Sequence, residues 1–244
     1  MIKEERQERI LEILEEENYI TAIKLAKTLY VSLPTIRRDL NELSRKGLII
    51  RHHGGAKKIN PDKVVMPVEF RKSVNYKEKR KLCESAVKLI KDDYIIFIDA
   101  STTTLQMVDF IPQSSPITVV TNSILISTTL TKKGVKNYLT GGELQQNSMC
   151  YAGVFAENFI KNFNFNLTFF SCHGVDENLN IVDTSLLETS LRKAVISQSE
   201  RSVFLCDSSK FKVKAPYNLI NINEIDYVIT DNNLLKTKNA ILIK

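Results

Sequence analysis

Val31-Ser32-Leu33-Pro34-Thr35-Ile36-Arg37-Arg38-Asp39-Leu40, followed by Gly47-Leu48-Ile49-Ile50-Arg51-His52-His53-Gly54-Gly55-Ala56, decides how the first part of this chain folds. Ser32 suits a helix N-cap, Pro34 is tolerated in a first turn, and Gly47 fits the position after a helix C-terminus. At about 100° per residue, Ile36, Leu40 and Leu43 share one face of that helix. Pro34, Arg37, Arg38, Asn41 and Arg45 spread over the other. The first face packs; the second is basic and long-armed, suited to phosphates and guanine edges. Upstream, Thr21 caps a helix expected over 22–30, and an amphipathic helix over 3–17 offers Ile10, Ile13 and Leu14 to the same small core. A tight turn at Tyr30-Val31 completes a helix-turn-helix layout. Segments 48–50 and 56–59, joined through Gly54-Gly55, predict a basic wing of paired strands.

Charge distribution separates this segment from an ordinary solvated surface. Residues 20–58 carry nine Lys/Arg against Asp39 and Glu42, a net of +7, whereas the whole chain is +6. Positive charge concentrated on one motif is the footprint of a nucleic-acid reader rather than of a winged protein-docking module. The candidate DNA contacts are Lys24, Ser32, Pro34, Thr35, Arg37, Arg38, Asn41 and Arg45 on the helices, with Arg51, His52, His53, Gly54, Gly55 and Lys57 on the wing.

Residues 3–58 resemble the N-terminal domain of the DeoR family of bacterial transcriptional regulators. Its signature pairs Ser-x-x-Thr-Ile-Arg-Arg-Asp-Leu with Gly-x-x-x-Arg-x-His-Gly-Gly-Ala, matched here at Ser32, Thr35 to Leu40, Gly47, Arg51 and His53 to Ala56.

The 244 residues suit one small and one medium domain, and 43% hydrophobic with 25% charged residues is a globular composition. No run approaches ~18 consecutive apolar residues, and the first residues lack the apolar core of a signal peptide, so a cytoplasmic protein is expected. Cys83, Cys150, Cys172 and Cys206 have no C-x-x-C spacing and read as reduced packing thiols. The predicted division is a winged helix-turn-helix domain over 1–58, a linker with Pro61 and Pro67 over 59–75, and an α/β domain over 76–244.

Beyond the linker, a helix expected over 77–91 precedes an alternating pattern. Apolar strand-like runs at 94–98, 117–121, 136–140, 167–172, 202–206 and 227–230 are separated by helix-like stretches at 102–110, 124–132, 154–161 and 186–199. That order indicates a parallel α/β sheet, which binds ligands at the carboxyl ends of its strands. Polar residues collect at those ends: Asp99 with Ser101, Thr102, Thr103 and Thr104; Thr121-Asn122; Gly141-Gly142; Gly174 with Asp176; and Asp207 with Lys210. A single such cluster is ordinarily a helix cap, but five on one edge indicate an anion and polyol pocket. Hydroxyls, backbone amides and Lys210 suit a phosphate, while Asp99, Asn122, Asp176 and Glu188 suit sugar hydroxyls.

The same segment is similar to the C-terminal sensor domain of DeoR-type regulators, whose motifs fall at Asp99, Thr102-Thr103, Thr121-Asn122, Gly141-Gly142, Gly174, Asp176, Glu188, Asp207 and Ser209 to Phe211. Ser101 stands where the family usually has Gly. The resemblance implies a regulator, most simply a repressor of a sugar-uptake or catabolic operon. Operator DNA, a phosphorylated-sugar effector and further copies of the chain would be its partners, as a dimer or tetramer, with no cofactor, metal or catalytic residue. The domain also resembles ribose-5-phosphate isomerases, through Asp176-Glu177, which raises two alternatives: an isomerase-like enzyme, or a structural dimerisation module carrying a DNA-binding domain. The enzyme's Lys-Gly-Gly-Gly run has no counterpart here, and a fold does not carry its chemistry with it.

Overall fold

In the N-terminal unit, helix α1 (Lys3–Glu17) buries Gln7, Ile10 and Leu14, while Ile13, expected beside them, is only half-buried. Strand β1 (Tyr19–Thr21) leads into helix α2 (Ala22–Thr28), where the Thr21 hydroxyl accepts from the Lys24 amide at 3.2 Å as the N-cap. Tyr30, at φ 54°, turns the chain into α3 (Leu33–Arg45). Ile36, Leu40 and Leu43 are all fully buried, as their common face predicts. Asp39 is buried too, because Arg6 reaches over from α1 with Nε 2.6 Å from Oδ2 and Nη2 3.2 Å from Oδ1. That two-pronged pair ties the first helix to the third.

The wing strands are β2 (Ile49–His52) and β3 (Gly55–Lys58), and β3 also pairs with β1, giving the antiparallel order β1-β3-β2. Strand β1 was not foreseen. It explains Gly55, which is buried: a Cβ there would run into the Ile20 carbonyl oxygen and lie 2.9 Å from the Tyr19 hydroxyl.

The structure is a computed structural model that describes residues 2–17, 19–45, 48–52, 54–58, 68–233, 235, 237 and 240–242. It divides into two units, Met1–Pro67 and Val68–Lys244. Gly47, His53 and positions 59–67 of the expected linker lie outside the described residues.

The second unit begins with α4 (Val68–Arg71) and α5 (Tyr76–Val87), followed by β4 (Ile95–Ile98), a 3-10 turn over Thr104–Gln106 and α6 (Met107–Phe110). Next come β5 (Thr118–Thr121), α7 (Ile124–Lys132), β6 (Lys136–Leu139), the hairpin β7 (Glu143–Gln145) and β8 (Cys150–Ala152), α8 (Val154–Ile160) and β9 (Leu167–Phe170). The chain closes with β10 (Gly174–Val175), β11 (Asn180–Asp183), α9 (Leu186–Ser197), β12 (Ser202–Leu205), β13 (Tyr217–Asn221), β14 (Tyr227–Thr230) and β15 (Ala240–Leu242).

Seven strands form one sheet in the order β15-β14-β12-β9-β4-β5-β6, every pairing parallel. Alternate residues feed separate cores: Ile96 and Ile98 pack with Leu82, Val119 and Phe169, and Phe97 packs with Val120, Phe165 and Leu191. From β4 the chain winds outward through β5 and β6, then returns to β9 on the other side of β4. Strand order therefore reverses between β4 and β9, and such a reversal opens a crevice at the carboxyl ends where the two following loops diverge.

Two expectations about this unit need correction. The helix expected over 102–110 is only the 3-10 turn and the four-residue α6, because local hydroxyl and carboxylate bonds satisfy the turn instead. The helix expected to reach residue 91 ends at Val87. The β7–β8 hairpin and the antiparallel sheet β10-β11-β13 were not anticipated at all.

Candidate functional site

On the N-terminal unit, Ser32, Pro34, Arg37, Arg38, Asn41 and Arg45 are all exposed on one side of α3, and Thr35 is half-buried. The Ser32 and Thr35 hydroxyls lie 2.8 Å apart, and the Thr35 amide donates to Ser32 Oγ at 3.4 Å. Among the described residues Arg37, Arg38 and Arg45 make no ion pair, so each guanidinium keeps all its donors for a partner outside the unit. Other residues expected at this surface are engaged internally. Lys24 Nζ sits 2.7 Å from both carboxylate oxygens of Glu17. Arg51 Nη1 donates to the Gly55 carbonyl at 2.9 Å and braces the wing. Gly55 is inside the unit, while His52, Gly54 and Lys57 are exposed. Two exposed elements, a helix and a wing, thus present free basic side chains, which defines a winged helix-turn-helix surface for duplex DNA.

In the second unit the residues after β4 and β9 meet at the crevice. The Asp99 amide donates to the Phe169 carbonyl at 3.0 Å, and Asp99 Oδ2 lies 3.4 Å from the Ser171 amide. Asp99 does not face a ligand with a free carboxylate. Its Oδ2 accepts from Arg192 Nε at 2.9 Å, and its Oδ1 accepts from the Ser101 amide at 3.3 Å and the Thr104 hydroxyl at 2.9 Å. Arg192, buried on α9, also donates through Nη1 to Asp183 at 2.7 Å and through Nη2 to Glu188 at 3.1 Å. Glu188 Oε1 accepts from Ser148 Oγ at 2.9 Å. Two carboxylates assigned to sugar hydroxyls are therefore bound to an arginine that sequence reasoning missed.

The hydroxyl cluster is similarly sorted. Thr104 Oγ1 lies 2.7 Å from both Ser101 Oγ and the Asp99 carbonyl, and Thr121 Oγ1 donates to the Ile98 carbonyl at 2.6 Å. Ser101, in place of the family glycine, caps the turn through a 3.0 Å bond from the Thr104 amide. Thr103 Oγ1, Asn122 Oδ1 and Asp207 Oδ2 are buried with no hydrogen-bond partner among the described residues. Buried polar atoms without partners are rare and mark places where a ligand or water is expected.

Cations converge on the same edge. Lys210 Nζ donates to Ser171 Oγ at 2.7 Å and to the Cys172 carbonyl at 3.0 Å. Lys79, only 4% exposed on α5, donates to the Arg71 carbonyl at 2.7 Å and to Thr102 Oγ1 at 3.2 Å. Burial, and then repulsion from Lys210, lower its pKa from 10.5 to about 8, with Asp207 and Cys83 acting in the opposite sense and Arg71 reinforcing the drop. Arg71 itself lies 3.4 Å from Ser148 Oγ, and its pKa is lowered by burial. Neither Lys79 nor Arg71 was singled out from the sequence. The signal was there: Lys79 lies on the same helix face as Leu82, Cys83 and Ala86, where a lysine is out of place.

Other expected site residues serve the fold. Asp176 accepts from the Asn178 and Asn180 amides at 2.8 Å each and from Asn180 Nδ2 at 3.0 Å, closing its own hairpin. Those bonds outweigh slight burial and hold its carboxyl below the usual range. Gly174 admits the Lys210 carbonyl, which a Cβ would meet at 2.7 Å, and Gly142, at φ +117°, admits the Ala152 carbonyl in the same way. Gly141, at φ +66°, faces open space. All four cysteines are free and buried, and burial pushes each thiol pKa upward. Among the described residues no helix is long and apolar enough to cross a membrane.

A DNA-reading unit joined to an α/β ligand-binding unit is the architecture of a one-component transcriptional regulator. Comparison with known proteins gives the family. Residues 6–62 match the DeoR-like helix-turn-helix domain and residues 74–232 the DeoR C terminal sensor domain. The chain is 34% identical over 230 residues to the L-fucose operon activator of Haemophilus influenzae, spanning 94% of this chain and 92% of the relative. It is 30% identical over 232 residues to the glycerol-3-phosphate regulon repressor of Escherichia coli, spanning 95% and 92%. A solved D-ribose-5-phosphate isomerase in complex with phospho-erythronic acid is similar at 15% identity and a TM-score of 0.42, over 56% of this chain and 54% of that one. The chain belongs to the DeoR family of transcriptional regulators; it is a DNA-binding regulator and not an enzyme.

Arg37 and Arg38 diverge by about 100° around α3, so one is expected to meet a phosphate and the other a base edge. Alanine at the phosphate-facing position should reduce the salt dependence of binding by about one charge, whereas alanine at the other should chiefly relax sequence preference. Salt titrations on matched and mismatched duplexes separate the two. Unchanged affinity for both variants would remove α3 from the interface.

The lowered pKa of Lys79 has a signed consequence. Below about pH 8 the folded state keeps a charge that burial penalises, and above 10.5 neither state carries it. Stability of the wild type relative to Lys79→Met should therefore rise across that window, by at most about 3 kcal/mol. Denaturant midpoints of the two proteins across the same pH range test it. A constant difference between them would mean that Lys79 titrates normally.

Proposed function

We propose that the chain is a cytoplasmic, homo-oligomeric repressor of an operon for sugar uptake or catabolism, released from its operator by a phosphorylated sugar. The observation that carries the reading is the pair of lysines, Lys79 and Lys210, held at the strand-order reversal beside Thr102 and Thr103. Among the described residues neither forms a salt bridge, and Lys210 depresses the pKa of Lys79. A dianionic phosphate placed between them would relieve that repulsion and give the Thr103 hydroxyl an acceptor. A short 3-10 turn follows Thr103, so the cations rather than a helix dipole supply the attraction.

Sugar hydroxyls then fall to Asn122 Oδ1 and Asp207 Oδ2, two of the buried acceptors without partners among the described residues. Asp99 and Glu188, held by Arg192, shape the wall, and Gly141, with nothing within 4 Å of where a Cβ would stand, leaves room for close approach to the backbone. The resemblance of the pocket's loops to family motifs, and a relative named for repression of a glycerol-3-phosphate regulon, support a sugar phosphate as the ligand class. Oligomerisation follows from the paired half-sites that winged helices read. Val154, 68% exposed, Phe155, 80% exposed, and Leu186, 58% exposed, offer apolar surface for it. Release is a matter of linkage: the ligand must bind more tightly to the arrangement that fits the operator poorly.

A thermal-shift screen against sugar phosphates and their unphosphorylated parents tests the ligand class, with stabilisation expected from phosphorylated members only. Hydrogen bonds to charged groups contribute roughly 1.5–3 kcal/mol, so Lys210→Ala should weaken the best ligand about ten- to a hundredfold. DNA binding without ligand should persist in that variant, giving a repressor that is not released. Wild-type release by Lys210→Ala would place the phosphate elsewhere, and loss of DNA binding would make Lys210 a structural residue.

A further inference from the structure

Residues 68–79 are the first of the second unit, and they reach three separate parts of the ligand crevice. The Val68 amide donates to the Asn147 carbonyl at 2.8 Å, and Arg71 approaches Ser148 Oγ at 3.4 Å, both in the loop between β7 and β8. Asn75 Nδ2 donates to Asp207 Oδ1 at 3.1 Å and to Ser209 Oγ at 2.8 Å, in the loop after β12. Lys79 Nζ bonds Thr102 Oγ1 in the loop after β4, and the same ammonium holds the Arg71 carbonyl at 2.7 Å. The segment is thus pinned in part by Lys79, one of the two cations expected to receive the anion. One ammonium cannot keep the Arg71 carbonyl and Thr102 while giving its full donor set to a phosphate, because it has three N–H groups. Asp207 meets Asn75 with Oδ1 and leaves Oδ2 buried with no partner among the described residues.

In sequence this segment follows directly on Pro67, where the DNA-binding unit ends. It carries two cations of the crevice, Arg71 and Lys79, that the remainder of the α/β fold does not supply. A phosphate taking more than the one remaining N–H of Lys79 therefore competes with the Arg71 carbonyl, and a hydroxyl on Asp207 Oδ2 shares the carboxylate that holds Asn75 on the chain leading to the DNA-binding unit.

We propose that residues 68–79 form a strap that is both a wall of the effector pocket and its reporter: an anionic ligand held by Lys79 and Lys210 rearranges the contacts of Arg71 and Asn75, and this rearrangement lowers operator affinity. The proposal rests on the sugar-phosphate reading and adds the path by which occupancy is transmitted. Arg71, Asn75 and Lys79 become effector-responsive residues, with Asn75 a positioning residue that touches the pocket through Asp207. Coupling of this kind needs an element with two arrangements whose balance both sites bias. The side-chain contacts to three loops give the strap one arrangement, and loss of the Lys79 contact to the Arg71 carbonyl on ligand binding would give the second.

Asn75 sits at φ 52°, so Asn75→Gly keeps the left-handed backbone while removing both side-chain bonds. Lys79→Met removes the ammonium and keeps the length of the side chain. The full-length wild type and both variants would be followed by amide hydrogen exchange with inorganic phosphate, and with the sugar phosphate giving the largest thermal shift. Binding to a duplex selected from a random-sequence pool would be measured under the same conditions.

In the wild type, exchange across 68–75 should change by roughly tenfold on adding ligand. At ligand concentrations that saturate each protein, Asn75→Gly should lose most of the effect of ligand on DNA affinity, and Lys79→Met should lose ligand binding itself. If ligand stabilises the protein and protects 99–104 and 207–210 while exchange over 68–75 is unchanged, the strap is overturned and the effector site stands. A wild-type ligand response on DNA in Asn75→Gly would overturn it as well. If neither phosphate nor any sugar phosphate stabilises the wild type, the effector reading fails and takes the strap with it.

Discussion

Arg192 holds three carboxylates from three parts of the chain: Asp99 at the end of β4, Asp183 on β11 and Glu188 one turn earlier on α9. All four side chains are nearly buried, so none of these charges is tolerable alone. They share one cation, with Nε, Nη1 and Nη2 of the guanidinium each directed at a different carboxylate. Taking Arg192 away would leave three buried carboxylates without it, and removing one partner of a buried pair typically costs about 3–5 kcal/mol. The crevice inherits its shape from this cluster. Asp99 fixes the turn through Ser101 and Thr104 and approaches the Ser171 amide, and Glu188 holds Ser148, beside which Arg71 lies. Carboxylates that read as sugar ligands are instead the frame beside which Lys210, through Ser171, and Arg71, through Ser148, are held.

Much of the fold was legible because periodicity reports burial. The helix face of Ile36, Leu40 and Leu43, the cap at Thr21 and the apolar runs that became β4, β5, β9, β12 and β14 follow from local rules that tertiary contacts did not override. What escaped was short or non-local. Strand β10 is two residues long, and β11 pairs Asn180 with Asn221, forty-one positions away by their side-chain bond. Strand β1 exists only because β3 folds back upon it, which no pattern within Tyr19–Thr21 announces.

The loops of the candidate site were legible as the carboxyl edge of the sheet, but the partners of their side chains were not. Loop composition marked the carboxyl edge correctly, yet a carboxylate's partner is invisible in sequence, so Asp99 and Glu188 looked free. Asp176 could have been recognised, since Asp176, Asn178 and Asn180 have the spacing of a turn in which an aspartate accepts nearby amides. Lys79 and Arg192 are the instructive cases. Each interrupts an inward-facing apolar stripe, Lys79 beside Leu82 and Cys83 and Arg192 beside Leu191 and Val195. A charged residue on such a stripe is compensated by partners, as Arg192 is, or retained at a cost in stability for a ligand, as Lys79 is here proposed to be. The arginines of the N-terminal unit divide along the same line: Arg6 and Arg51 are spent on Asp39 and the Gly55 carbonyl, and Arg37, Arg38 and Arg45 stay exposed.

If the anion crevice and the DNA-reading surface are coupled as proposed, thermodynamic linkage makes the coupling reciprocal. The most direct test is to measure the sugar phosphate's dissociation constant by calorimetry on the free protein and on the protein saturated with its selected duplex. The account predicts weaker binding to the DNA complex, by the same factor that saturating ligand weakens DNA binding. Equal affinity for the two forms would show that the crevice and the DNA-binding surface are not coupled.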